Sequence, residues 1–152
     1  MSDILTLDLP DEEATMRLGA ALAEAARAGD VIALSGPLGA GKTALARAFI
    51  RHLTSPDEEV PSPTFTLVQI YETAKGDIWH LDLYRLADPA ETVELGIEEA
   101  FREGICLIEW PERLGPLLPG DRLDLRLSLA GEARRAELTG WRGRLGEIAK
   151  HV

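Results

Sequence analysis

The sequence predicts an α/β fold in which a mixed parallel and antiparallel sheet is flanked by helices, giving a three-layer sandwich. Two runs, Val31–Leu34 and Ile105–Ile108, are apolar throughout, which is typical of central strands buried on both faces. A third segment, Arg122–Leu129, alternates charged and apolar side chains and therefore predicts a strand with one solvated face. Because the chain has 152 residues and no linker-like segment, we expect one domain spanning residues 1–152.

The first part of the chain is expected to form a strand, a helix and the first central strand. Ile4–Leu9 alternates well enough for a strand, which Pro10 closes. The acidic run Asp11–Glu13 favours the first turn of a helix, since negative charge complements the helix dipole there. An apolar stripe continues this helix to Gly29, and Val31–Ser35 then predicts the buried strand.

The later elements follow a polar, proline-punctuated segment at residues 54–63. Two strands are expected at Phe65–Tyr71 and Asp77–Tyr84, and the short turn between them favours an antiparallel pair. A helix is expected over Ala90–Arg102, with a possible break at Gly96. The remaining expected elements are the strand at Ile105–Ile108, a hairpin of Arg122–Leu129 with Arg134–Leu138, and a short final helix.

The stretch Gly36–Thr43, GPLGAGKT, satisfies the pattern G-x-x-x-x-G-K-[ST] between an apolar strand and a helix-forming segment. Its glycines allow a tight turn that directs successive backbone N–H groups toward an anion. Lys42 would place positive charge at the β- and γ-phosphates, and the Thr43 hydroxyl can ligate Mg²⁺. The loop therefore predicts a P-loop NTPase-like sandwich that binds a nucleoside triphosphate with Mg²⁺. The alternative is a glycine turn with only a structural role.

A P-loop needs an acidic partner, usually at the end of a neighbouring apolar strand. Glu109 follows Ile105–Ile108 directly and fits that position, except that it is Glu rather than Asp. Asp82 is the second candidate, in a segment that is less purely apolar. We favour Glu109 as the acid that holds the metal. The alternative is a surface Glu that caps the end of a strand.

Two further polar groups have both a functional and an ordinary interpretation. His80 and Asp82 share one face of a predicted strand with Tyr84, and this face is either part of the site or a solvated edge. A transition-metal site is disfavoured there because no further Cys or His accompanies the pair. Ser62–Thr64 lies where nucleotide-hydrolysing proteins carry a switch that senses the γ-phosphate, although Ser-Pro-Thr is also an ordinary turn.

Composition excludes some functions. With 16 basic and 26 acidic residues the formal net charge is −10, which argues against direct, high-affinity binding of nucleic acid. The single cysteine, Cys106, lies in an apolar run and is expected to be a small buried hydrophobe in a reducing compartment. No basic and apolar leader and no membrane-length apolar stretch appears, so we expect a cytoplasmic protein with no membrane contact.

Four motifs occur along the chain: GPLGAGKT at 36–43, SPTFT at 62–66, HLDLYR at 80–85 and IEWP at 108–111. Together, in this order and spacing, they resemble the bacterial TsaE family, formerly called YjeE. The last three are far more discriminating than the first, which many unrelated proteins share. The resemblance implies an ATP-binding and ATP-hydrolysing protein required for N6-threonylcarbamoyladenosine modification of tRNA. It further implies action on the TsaB–TsaD complex, with tRNA contacted only indirectly.

The resemblance also implies roles for individual residues. The implied nucleotide contacts are Gly36, Gly39, Ala40, Gly41, Lys42, Thr43 and Ala44, with Thr15 near the base and Arg134 near the nucleotide as weaker matches. Thr43 and Glu109 would hold Mg²⁺. Thr64 would belong to a first switch, and His80 and Asp82 to a second, with Asp82 a candidate for orienting the attacking water or the metal. For Trp110 a core or interface role and a nucleotide contact are both open.

The expected chemistry is in-line attack of water on the γ-phosphate, with charge neutralised by Lys42, the loop amides and Mg²⁺. Arg85 and Arg113 are candidate arginine fingers, but neither is obvious, so a partner could supply the charge and hydrolysis by the isolated protein is expected to be slow. Two alternatives stay open. A small-molecule kinase is disfavoured because the chain lacks an arginine-rich lid, and a nucleotide-dependent binding module would hydrolyse ATP only incidentally.

Overall fold

The computed structural model describes residues 4–141 and 143–152, and within them the elements follow the expected order. The strands are β1 (Ile4–Leu9), β2 (Val31–Ser35), β3 (Val68–Tyr71), β4 (Ile78–Asp82), β5 (Ile105–Glu109), β6 (Leu123–Ala130) and β7 (Ala133–Thr139). The helices are α1 (Glu12–Ala25), α2 (Lys42–Leu53), α3 (Glu91–Glu94), α4 (Ile97–Glu103) and α5 (Leu145–Lys150), with a 3-10 helix at Pro111–Leu117. None of the described helices is both long and apolar enough to cross a membrane.

The strands form one mixed sheet in the order β1-β7-β6-β2-β5-β4-β3. The four central strands β6, β2, β5 and β4 are parallel to one another. Antiparallel strands complete both edges, with β7 and β1 on one side and β3 on the other. The predicted α/β class is confirmed, as are the two antiparallel hairpins, β3–β4 and β6–β7.

The side chains of β5 alternate between the two faces of the sheet, which explains why its continuously apolar run forms a central strand. Ile105 and Leu107 pack in the core that α1 and α2 cover, whereas Cys106 and Ile108 pack in the core that α4 covers. A strand with apolar neighbours on both faces is stable only between two layers of helices, so the sheet is the middle layer of three. Cys106 is fully buried, as expected, and burial raises the pKa of its thiol to about 12.

Helix α1 ends earlier than the apolar stripe suggested. It begins as predicted, since the Asp11 carboxylate accepts a hydrogen bond from the Ala14 N–H at 2.9 Å and caps the first turn. It ends at Ala25 rather than near Gly29. The Lys75 ammonium, in the β3–β4 turn, donates to the carbonyls of residues 23, 24 and 26 at 2.8, 2.7 and 3.1 Å and satisfies the carbonyls of the last turn.

Two other boundaries depend on residues with left-handed backbone conformations. Strand β3 begins at Val68 rather than Phe65, because the Leu67 N–H donates to the Pro63 carbonyl at 2.7 Å and Leu67 has a φ of 69°. This bond closes a turn over residues 63–67 and removes them from the sheet. The helix expected over 90–102 is divided at Gly96, whose φ is 83°, as the sequence indicated.

Gly19 lets α1 and α2 approach closely. A Cβ added at Gly19 would lie 2.7 Å from the Ala48 Cβ and 3.0 Å from the Leu45 carbonyl oxygen. The first distance is shorter than packed atoms tolerate and the second is very tight, so glycine is the residue that allows this helix spacing. The contact fixes α2 against α1 and thereby fixes the position of the loop that precedes α2.

The α1–α2 contact predicts opposite effects for two glycine-to-alanine substitutions in helices. Gly146 in α5 has open space around its Cβ position, so Gly146→Ala should raise the free energy of unfolding by up to about 1 kcal/mol. Gly19→Ala should instead lower it by about 1–3 kcal/mol, since overpacking outweighs helix propensity. Urea denaturation of both variants measures the difference. Stabilisation by both substitutions would show that the two helices are not in such close contact.

Candidate functional site

The loop Gly36–Lys42 joins the carboxyl end of β2 to the first turn of α2. Gly36 has a φ of 140°, and a Cβ there would lie 2.3 Å from the Leu127 carbonyl oxygen, so no other residue fits. Gly41 precedes α2 with a φ of 100° and makes no side-chain cap to the helix. The N–H groups of this first turn are therefore available to an anion, which the helix dipole also favours.

Lys42 carries a positive charge that is buried without a negative partner in contact. Its exposed fraction is 5%, its Nζ donates to the Gly36 carbonyl at 2.6 Å, and the same Nζ lies 3.5 Å from the centroid of the Trp110 ring. Within residues 4–141 and 143–152 no carboxylate lies within ion-pair distance of it. Burial lowers the pKa of Lys42, against the opposing effect of the charges on Glu109, Glu112 and Asp82. An oxyanion beside this ammonium would supply the missing partner.

Thr43, Glu109 and His80 form one hydrogen-bonded chain, called here the metal-side chain. The Thr43 Oγ1 donates to the Glu109 Oε1 at 2.8 Å, and the other oxygen, Oε2, lies 2.7 Å from the His80 Nε2. The exposed fractions of Glu109 and His80 are 2% and 0%. Two interpretations that the sequence left open are therefore wrong: Glu109 is not a surface residue that caps a strand end, and His80 does not lie on a solvated edge.

Asp82 and Thr64 form a second chain, called here the switch-side chain. The Asp82 Oδ2 accepts from the Thr64 Oγ1 at 2.9 Å, and Oδ1 accepts from the Tyr84 N–H at 3.0 Å. Ser62 Oγ is 2.8 Å from Thr64 Oγ1, and it must be the donor because the single Thr64 proton is directed to Asp82. The loop after α2 is thus attached to a carboxylate at the end of β4.

The two chains lie side by side at the carboxyl ends of parallel strands. Asp82 pairs with Glu109 in the β4–β5 register, so the two carboxylates follow neighbouring strands at the same level. This edge of an α/β sheet is where ligands commonly bind. The structure brings together the predicted catalytic residues Thr64, Asp82 and Glu109 here, with Glu109 bonded to Thr43 at the start of α2.

The oxygen atoms of this site suit Mg²⁺. Thr43 offers a hydroxyl and Glu109 a carboxylate, which are the hard ligands that Mg²⁺ prefers. In the part of the chain that the structure describes, no three His, Cys, Asp or Glu side chains converge as a metal cage. A Mg²⁺ ion that takes its other ligands from phosphates and water fits this donor set better than a metal that needs an all-protein site.

A cleft of about 780 Å³ lies on the α1 side of the loop. The predicted nucleotide contacts that line it are Gly39, Ala40, Gly41, Ala44, Thr15 and Arg134. Arg134 reaches the loop directly, since its Nη2 donates to the Gly39 carbonyl at 3.1 Å. The other predicted contacts, Gly36, Lys42 and Thr43, do not line the cleft. The predicted residues therefore divide into a group that lines the cleft and a second group in which Lys42 bonds Gly36 and Thr43 bonds Glu109.

Trp110 has a role that the sequence left open. It adopts a left-handed backbone conformation, with φ 59° and ψ 51°, directly before Pro111. Non-glycine residues avoid this region at a cost of about 1–3 kcal/mol, and strain of this size is often found at functional sites. Its ring covers the Lys42 ammonium and lies 5.0 Å from the ring of Tyr84. No sequence signal beyond the Trp-Pro pair indicated this geometry.

Three arginines also have defined positions. Arg47 and Arg51 line the cleft, and their Nε atoms donate to the carbonyls of Val60 and Glu58 at 3.3 and 3.0 Å. Sequence reasoning missed them, although their i, i+4 spacing places them on one face of α2. The candidate finger Arg85 stacks on the Phe65 ring at 4.6 Å and makes no contact with Glu109 or Asp82 among the described residues.

Comparison with known proteins gives a consistent set of similarities. A family model described as "Threonylcarbamoyl adenosine biosynthesis protein TsaE" matches residues 9–137. The chain is 41% identical over 129 residues to the tRNA threonylcarbamoyladenosine biosynthesis protein TsaE of Rickettsia felis, covering 85% of this chain and 75% of the relative. It is 39% identical over 140 residues to the protein of that name from Haemophilus influenzae, covering 88% of each. The crystal structure of Bacillus subtilis YdiB superposes with a TM-score of 0.82 at 29% identity, covering 99% and 97% of the two chains.

The switch-side chain predicts a stability effect for Thr64. Thr64→Val removes the donor to a nearly buried carboxylate and should lower the free energy of unfolding by about 1.5–3 kcal/mol. Thr66→Val is the matched control, because the exposed Thr66 hydroxyl accepts a hydrogen bond from the Gln69 amide and makes no other among the described residues, so its loss should change the free energy of unfolding by at most about 0.5 kcal/mol. Urea denaturation measures both. Equal effects at the two positions would contradict the Thr64–Asp82 bond.

Proposed function

The chain belongs to the TsaE family of threonylcarbamoyl adenosine biosynthesis proteins, and from that premise we propose that it is a Mg²⁺-dependent ATPase that acts on the TsaB–TsaD complex. Its place is in tRNA threonylcarbamoyladenosine biosynthesis, as a nucleotide-binding P-loop protein. The proposal treats residues 1–152 as one ATPase domain. Since tRNA modification of this kind takes place in the cytoplasm, the proposal also locates the protein there.

The observation that carries the proposal is the buried Lys42 ammonium beside the Thr43–Glu109 pair. A cation nearly excluded from water is costly unless an anion neutralises it. The β- and γ-phosphates of ATP would do so, and the open N–H groups at the start of α2 would bind the same oxygens. Thr43 and Glu109 supply the oxygen ligands for the cation that accompanies the phosphates.

The proposed roles follow from the positions of the side chains. Lys42 and the loop amides hold the phosphates and neutralise the charge that develops as the γ-phosphate is released. Thr43 and Glu109 would hold Mg²⁺, which would supply further positive charge to neutralise the phosphates. Asp82 orients the attacking water, and Thr64 couples the Ser62–Thr64 loop to that carboxylate. The nucleoside occupies the cleft that Thr15 and Arg134 line.

Slow hydrolysis by the isolated protein is part of the proposal. Among the described residues no arginine contacts Asp82 or Glu109, and Arg85 is engaged with Phe65. A positive charge that completes the site would therefore come from TsaB–TsaD, as an arginine supplied in trans does in other phosphate-hydrolysing systems. With a net charge of −10, the protein would reach tRNA only through that complex.

The roles of Lys42 and Glu109 are separable by substitution. Lys42→Ala should raise the dissociation constant for ATP by at least about tenfold, because a charge-assisted contact to phosphate is lost. Glu109→Ala should change that constant less but lower the hydrolysis rate by about 100-fold or more, since metal placement acts mainly on the transition state. Calorimetric titration and phosphate release measure the two effects. Normal hydrolysis by Glu109→Ala would make Asp82 the metal acid.

Partner dependence is testable with purified TsaB–TsaD. The protein should bind this complex more tightly with a non-hydrolysable ATP analogue than with ADP, and the complex should raise its ATPase rate. Pull-down at each nucleotide state and steady-state phosphate release are the measurements. Nucleotide-dependent binding without a faster rate would instead favour a binding module. Binding to the complex that does not depend on the nucleotide, together with an unchanged ATPase rate, would contradict the proposal.

A further inference from the structure

His80 is a buried polar residue whose ring is only half satisfied. It lies on β4 with an exposed fraction of 0%, and its Nε2 is 2.7 Å from the Glu109 Oε2. Because an ionised carboxylate only accepts hydrogen bonds, Nε2 carries the proton and donates it. The other ring nitrogen, Nδ1, is buried and has no hydrogen-bond partner among the described residues.

A histidine in this position is not explained by packing. Leaving a buried polar atom without a partner costs about 1–3 kcal/mol, and an apolar side chain of similar size would avoid that cost. His80 pairs with the apolar Leu107 on β5 and with Gln69 on β3, whose amide donates to the Thr66 hydroxyl and not to His80. What the imidazole adds is one donor, directed at the carboxylate oxygen that Thr43 does not contact.

The two oxygens of Glu109 are consequently held from opposite sides. Oε2 is fixed by His80, and Oε1 accepts the Thr43 proton. Asp82 lies at the same level on the neighbouring strand, but its oxygens accept from Thr64 and the Tyr84 N–H and not from His80 or Thr43. Among the described residues, His80 is therefore the one hydrogen-bond partner of the Glu109 carboxylate besides Thr43, and it holds the oxygen that Thr43 does not contact.

We propose that His80 is a positioning residue for Mg²⁺: it orients the Glu109 carboxylate, and through it the Thr43 hydroxyl, so that both present oxygen atoms to the metal. This inference rests on the proposed binding of Mg²⁺ and ATP. Residues in contact with metal ligands typically change metal affinity by about 10–100-fold when they are replaced. His80 touches neither nucleotide nor metal in this role, so its effect should appear only when Mg²⁺ is present.

The test compares ATP affinity in excess Mg²⁺ with ATP affinity in EDTA, using the full chain and calorimetric titration. The dissociation constant in EDTA divided by the dissociation constant in Mg²⁺ measures how much Mg²⁺ strengthens the binding of ATP. His80→Asn, whose amide is too short to reach Glu109, should reduce this ratio by about tenfold and leave the affinity in EDTA within about twofold of wild type. His80→Leu, which removes the donor altogether, should do the same. His80→Gln, whose longer amide can reach Glu109, should restore most of the ratio.

A matched control separates this role from a general loss of structure. In the part of the chain that the structure describes, the Tyr71 hydroxyl oxygen is the second buried side-chain atom without a partner, so Tyr71→Phe should leave both ATP affinities unchanged. A purely structural role for His80 would lower the affinity in EDTA and in Mg²⁺ alike, and would overturn the inference. So would a wild-type ratio in both His80→Asn and His80→Leu. If the wild-type protein binds ATP in neither condition, or binds it equally well in both, the proposed function itself fails.

Discussion

The buried charge of Lys42 is the interaction around which the site is arranged. Its ammonium is held by one carbonyl and one aromatic face, and the nearby carboxylates of Glu109 and Asp82 act on it only through space. If either acid formed an ion pair with Lys42, the cation would be neutralised and would have less affinity for phosphate. The hydrogen bonds of both acids to other groups keep the lysine available, and the strained backbone of Trp110 places a ring over it that cannot neutralise it.

Parallel pairing of the central strands brings these groups together. Strands β2, β4 and β5 all end at one edge, so the loop before α2, Asp82 and Glu109 meet there although they are far apart in sequence. The strand register then determines which side chains each of the two acids contacts. Glu109 faces Thr43 on α2, and Asp82 faces the turn at residues 63–67. The close α1–α2 contact at Gly19 completes the arrangement by fixing the start of α2.

Local patterns predicted the elements well because each depends on nearby residues. The apolar run at 105–108, the glycines of the loop and the alternation at 122–129 each specify their own conformation. The same patterns could not predict contacts between distant segments. That Glu109 bonds Thr43, that His80 bonds Glu109, and that Trp110 covers Lys42 depend on strand register and on one left-handed residue before proline. The shift of β3 to Val68 likewise arises from a turn at Leu67 that no glycine marks.

The metal-side chain has a direction, because each of its hydrogen bonds has one donor. His80 donates to Glu109, and Thr43 donates to the other oxygen of the same carboxylate. A hydroxyl has one proton and two lone pairs, so directing the Thr43 proton to Glu109 leaves its lone pairs free for a cation. The acid therefore acts on the metal partly by fixing the threonine, and not only as a ligand. These two roles explain why a Glu, which is longer than the usual Asp, can occupy the end of β5. The longer side chain of Glu109 reaches both His80 on β4 and Thr43 on α2.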